Sequence, residues 1–234
     1  MPQLRYNKST WEAFLNSNIV SEPIEIGNRL QSLGLNREEL LEVVYAMVGA
    51  KRDCTKNFPP SAPGWLSWCY GTVRLREIKC STEGWQKDDS DQISSVLNKK
   101  LGVKIVVSNT DYATGLGLEN TVPQNRSKKG AATERNISSN QLSFMDVLDQ
   151  SLDVSYLNRK NIFGESITTW FLCVYHEGDV VRAELSCPIK VENGFFTGFS
   201  ERITIISEKD DNSPVHRRVT EEPDIEFDIP VARK

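Results

Sequence analysis

The chain has 234 residues, 38% of them hydrophobic and 26% charged, with a formal charge of -4 at neutral pH. That is enough apolar material for a true core, so a disordered chain is excluded, and the length bounds the molecule at one large domain or one domain with a small appendage. The mild negative charge excludes a surface that grips nucleic acid or an anionic membrane along its whole extent, while leaving room for a local basic patch.

Five cysteines (Cys54, Cys69, Cys80, Cys173 and Cys187) are an odd number, and none sits at C-x-x-C spacing. Neither a disulfide framework nor a zinc finger follows from that pattern. Cys173 and Cys187 fall in strand-like runs and read as small buried hydrophobes, placed to face each other across a hairpin. The residues after Met1 are polar, unlike a signal peptide, and no apolar run approaches the length of a membrane span. The expected location is therefore cytoplasmic, with no membrane partner.

In chain order, residues 1–57 read as a helical region. Ser9-Thr10-Trp11-Glu12 has capping-box spacing, Ser21 and Pro23 mark a second helix start that Gly34 closes, and Asn36 begins a third. In that third helix Leu40, Leu41, Val43, Val44, Met47 and Val48 form a wide apolar stripe. A helical subdomain packed on a sheet is the expectation, ahead of a helix-turn-helix. Three prolines between Phe58 and Gly64 break the pattern. A core domain is expected over 65–207, starting with a helix from Trp65 to Cys80. Its Trp65, Trp68 and Tyr70, with Trp85 beyond, are assigned to the helix–sheet junction, with a stacking platform as the alternative.

Ile93, Val96, Leu97 and Leu101 fit a short amphipathic helix ending at Gly102, followed by a buried strand over Val103–Val107. From Thr110 to Gln141 no periodicity is sustained. Gly115 and Gly117 form a G-x-G without the third glycine of a dinucleotide fingerprint, and Lys128-Lys129 precede Gly130, the reverse of a P-loop. What stands out is the segment 122–135, where Arg126, Lys128, Lys129 and Arg135 are mixed with small polar residues in an otherwise acidic protein. Those are the side chains that contact phosphate oxygens. The competing reading is a mobile surface loop with solvated charges. Thr133 is placed to cap a helix whose N-terminus would add partial positive charge, and a helix from Ser143 through Leu152 then leads to the strands.

Residues 167–206 read as a three-stranded antiparallel meander, and with the helices they set the fold class as α+β. Ile167–His176 is an unbroken strand-like run, Glu177-Gly178-Asp179 a turn, and the next strand alternates Val181, Ala183, Leu185 and Cys187 with Val180, Arg182, Glu184 and Ser186. Arg182 and Glu184 are placed on its solvated face. Asn193-Gly194 makes a second turn before Arg202–Ile206. The acidic tail, 208–234, alternates acids with Ile225, Phe227 and Ile229, as an added edge strand or a peptide that docks on a protein partner.

The two histidines, His176 and His216, lack catalytic neighbours in sequence. A Mg²⁺ nuclease would draw on Asp111, Asp179, Glu184 and Lys190, but Glu184-Leu185-Ser186 lacks the lysine of the E-x-K arrangement. No other cofactor is implied. The expected function is a nucleic-acid-associated binding protein that contacts phosphates through the basic segment. A non-catalytic adaptor within a protein complex comes second and the nuclease third.

Overall fold

The computed structural model describes residues 17–118, 121–148 and 167–207. The expected helix at Ser9, the residues beyond Leu148 on the way to β5, and the alternating tail lie outside them. The elements in order are β1 (Asn18–Val20), α1 (Pro23–Ser32), α2 (Arg37–Arg52), α3 (Ala62–Cys80), β2 (Gln86–Asp88), β3 (Ser95–Asn98), β4 (Val103–Asn109), α4 (Ala131–Leu148), β5 (Thr168–Glu177), β6 (Val180–Glu192) and β7 (Phe195–Ile206).

The strands form one mixed sheet in the order β1-β7-β6-β5-β4-β3-β2. Helices with a seven-stranded mixed sheet make the protein α+β. The expected three-stranded meander is too small a description: β5, β6 and β7 pair antiparallel, but β4 joins β5 in parallel and β1 joins β7 in parallel. The β4–β5 pairing requires a crossover, because parallel neighbours cannot be joined by a tight turn. The described part of that crossover comprises residues 110–118 and 121–130 and α4.

Two apolar clusters flank the sheet. On one face α1, α2 and α3 bury Leu30, Leu40, Val44, Met47 and Leu75 against Ile105, Val107, Leu172, Leu185 and Ile203. Helices from both sides of the proline-rich segment thus share one core. Local chemistry sets their ends. Pro23 occupies the first turn of α1, and Asn36 caps α2, its Oδ1 accepting from the Glu39 amide at 2.8 Å. Gly71 answers its own weakness as a helix residue: a Cβ there would lie 2.4 Å from Met47 Cγ, so glycine lets α3 sit directly on α2. On the other face Ile137 of α4 packs with Val106, Phe171, Cys173, Phe196 and Phe199.

Three local expectations are corrected. Ile93–Leu101 is not a helix: β3 forms a hairpin with β4, pairing Ser95 with Val106 and Asn98 with Val103. All four β3 residues are buried, so the strand lacks the polar alternation that marks a one-sided strand, and its apolar spacing mimicked a helix. The helix assigned to Ser143 starts at Ala131, near the Thr133 position that the sequence offers as a cap, and its first turns carry few buried residues to mark a period. Buried Asn140 anchors it, donating to the Thr169 and Pro188 carbonyls at 2.8 and 2.9 Å. Finally, Cys173 faces α4 and pairs in register with Glu184, while Cys187 joins the α1–α3 core, so the two thiols lie on opposite faces.

Candidate functional site

A cleft of about 770 Å³ opens at the carboxyl end of β4, between the first turn of α3 and the start of α4. It lies beside the parallel β4–β5 pair, where the crossover leaves the sheet, and strand ends of this kind leave room for ligands.

Strand β4 ends in Ser108, Asn109 and Thr110, and each ties down one side of the opening. Asn109 reaches toward α3, accepting from Ser67 Oγ at 3.1 Å and donating to the Gly64 carbonyl at 2.8 Å. Thr110 makes a bridge with Asn125, and the Arg126 amide donates to the Asn109 carbonyl at 3.1 Å. Asn125 is buried. Its amide donates to the Gly194 carbonyl at 2.8 Å and its Oδ1 accepts from the Phe196 amide at 2.9 Å. The Lys129 amide also donates to the Gly194 carbonyl, at 2.9 Å. The basic segment is therefore an ordered strap across β4 and the β6–β7 hairpin. These hydrogen bonds join residues 17 to 71 positions apart and are invisible to local pattern.

Of the four cations expected to act together, the structure brings two to the cleft. Arg126 lines it, its guanidinium donating to the Thr110 carbonyl at 3.2 Å and to Glu177 at 3.3 Å, over the Tyr175 ring. Lys129 points inward, Nζ donating to Ser108 Oγ at 3.1 Å and lying 5.7 and 5.9 Å from the Phe171 and Phe196 rings. Burial pushes its ammonium below the usual lysine range, and no carboxylate ion pair offsets that among the described residues. Lys128 is exposed and does not line the cleft. Arg135 pairs with Asp91 at 3.0 Å, also outside it.

The strand and helix ends add residues that sequence reasoning missed. Lys51, in the last turn of α2, lines the cleft and donates to the His176 carbonyl. Burial lowers its pKa, and neighbouring Arg126 lowers it further. A lysine at a helix C-terminus is what dipole complementarity alone would place there, so no sequence signal set Lys51 apart. His176, also lining the cleft, is held neutral: burial first, then the charges of Lys51 and Arg52, bring its pKa to about 4. Trp65 and Trp68 form the α3 wall. Of the aromatics assigned to the junction, only Trp85 is fully buried, while Trp65 and Tyr70 are exposed.

The nuclease candidates have other partners. Asp111 Oδ1 accepts from the Ala113 and Gln124 amides, Lys190 pairs with Glu192, and Asp179 is exposed beside Arg52. Glu184 and Arg182, placed on a solvated face, are buried, because the 111–118 segment lies over the face the meander alone would expose, the Gly115 amide donating to Glu184 and a Cβ at Gly115 meeting Arg182 Cβ at 3.1 Å. Among the described residues no group of three or more His, Cys, Asp or Glu stands together as a metal site. No described helix is long and apolar enough to cross a membrane.

The cleft is lined by Lys51, Arg126 and Lys129, and by no aspartate or glutamate, in a chain with 32 acidic residues against 28 basic ones. The amino ends of α3 and α4 border it and add partial positive charge. The charged side chains of this lining are therefore all cationic. Neither protein-family models, nor curated proteins, nor solved structures match the chain.

Proposed function

We propose that the protein is a phosphate-recognition protein of the nucleic-acid class, binding one or two phosphates of a nucleotide or a strand end in the β4 cleft. One observation carries the reading: three cations and no carboxylate line one open cleft in a protein of net negative charge. Lys129 is partly withdrawn from water and has no carboxylate ion pair among the described residues, and an arriving phosphate offsets the cost of that desolvation with charge-assisted hydrogen bonds. The cleft volume falls in the range of about 300–1,000 Å³ typical of small-ligand sites. A continuous duplex track is less well supported, since Arg135 is paired with Asp91 and Lys128 lies apart from the cleft.

Calorimetric titration with inorganic phosphate, AMP and a 5′-phosphorylated oligonucleotide tests the reading. Binding should be present and should fall with salt on a shallow slope, reflecting two or three neutralised phosphate charges rather than six or more. Lys129→Met and Arg126→Gln should each weaken it about tenfold or more, consistent with a lost charged hydrogen bond. Absence of binding to all three ligands, or unchanged affinity in both variants, would overturn the proposal.

A further inference from the structure

The cleft has two chemically different walls. Lys129 and Thr133 stand on the α4 side, above Ser108. Trp65 and Trp68 stand on the α3 side, three residues apart and therefore on one helix face. Trp65 is 61% exposed, an unusual expense for the largest apolar side chain at the start of a helix whose core face is already supplied by Leu75 and Gly71. Val107, Val174 and the cation Lys51 also line the cleft, the two valines belonging to the apolar cluster on the sheet face that carries α3. An anionic wall partner alone would need only the first set of residues.

Resting on the phosphate reading of the same cleft, we infer that the ligand is a mononucleotide unit: its phosphate faces Lys129, Ser108 and Thr133, and its base stacks on Trp65 and Trp68. Indole faces take any base, because every base offers a π-face. A cleft of about 770 Å³ holds one base with its phosphate rather than a run of them. Free nucleotides and unpaired bases at a strand end share this chemistry.

Intrinsic tryptophan fluorescence and calorimetry on the full chain, with inorganic phosphate, ribose 5-phosphate, AMP and a short 5′-phosphorylated single strand, separate the steps. AMP should quench fluorescence and bind at least about tenfold more tightly than ribose 5-phosphate, within the roughly 5- to 150-fold that one stacked base supplies. Trp65→Ala should erase that difference while leaving inorganic phosphate affinity unchanged, and Trp65→Phe should keep most of it. Trp65 is exposed, so its replacement reads binding rather than folding; Trp68→Ala is the supporting variant. Equal affinity for AMP and ribose 5-phosphate would overturn the stacking inference and leave phosphate recognition standing. Failure of every phosphate compound to bind would remove both. A single strand binding as tightly as AMP assigns the ligand to strand ends, a weaker one to free nucleotides; a base on the indoles is required in either case.

Discussion

Glu184 and Arg202 face each other across β6 and β7 as a buried two-point ion pair, with both N–O distances 2.8 Å and side-chain exposures of 2% and 3%. Glu184 also accepts from the Gly115 amide at 2.8 Å and from Ser186 Oγ at 2.6 Å, and Arg202 donates to the Leu118 and Thr121 carbonyls at 3.3 and 2.7 Å. The pair therefore anchors the crossover that leads into the basic strap. Removing one partner leaves a buried charge alone, so Glu184→Gln or Arg202→Met should cost about 3–5 kcal/mol in urea denaturation. The Glu184→Gln/Arg202→Met double variant should cost less than the sum of the two. A single variant within about 0.5 kcal/mol of the parent would refute the anchor.

Gly115 tests the same crossover from the backbone. Its φ is +70°, and a Cβ would meet the Ile206 carbonyl oxygen at 2.6 Å. Gly117 shares the left-handed conformation, φ +64°, with nothing within 4 Å. Gly117→Ala should therefore cost only the conformational penalty of about 1–2 kcal/mol. Gly115→Ala should cost clearly more. Equal melting temperatures for the two variants would show that the close approach to β7 is not maintained in solution.

His176 links the cleft to acid stability. Burial first, then Lys51 and Arg52, lower its pKa from 6.5 to about 4, opposed by the Gly178 carbonyl and Asp179. The fold favours the neutral ring, so this contribution is complete above pH 6.5 and is lost as pH falls from 6.5 toward 4, where only the unfolded chain takes up a proton. His176→Gln should flatten the fall in thermal stability across that window while leaving the slope below pH 4 to the carboxylates. Among these, Asp88 is held at about 2; burial pushes it up, but bonds from Lys104 and Ser90 outweigh that. An unchanged pH profile in His176→Gln would show that the ring is not held neutral.

Lys129 makes a contrary pair of predictions. Its folded pKa is lowered by burial, so the ammonium costs stability at neutral pH and the cost disappears as pH rises past the folded value. Lys129→Met should then leave stability unchanged or raise it by up to about 1 kcal/mol, even as phosphate binding is lost. Lys128→Glu, on an exposed residue outside the cleft, should change phosphate affinity less than threefold at about 0.15 M salt, where screening is strong. A larger effect from Lys128 than from Lys129 would return the site to the surface of the strap.

By itself the sequence determined the elements whose signals are local. The proline and asparagine that start α1 and α2, the apolar stripe of α2, the strand run of β5 and the turns at Gly178 and Gly194 all act within a few residues of where they stand. It also singled out Arg126 and Lys129 by charge. Tertiary structure decided what those charges are for. Whether a cation meets a carboxylate, water or an empty cleft depends on contacts such as Arg126 with Glu177, Lys51 with His176 and Lys129 with Ser108, between residues 51, 125 and 21 positions apart. The same holds for β3, buried on both faces by neighbours, and for Glu184, whose strand alternates as if one face met solvent until the crossover closes over it. Periodicity records which side of an element is apolar; it carries no record of what is laid across the other side.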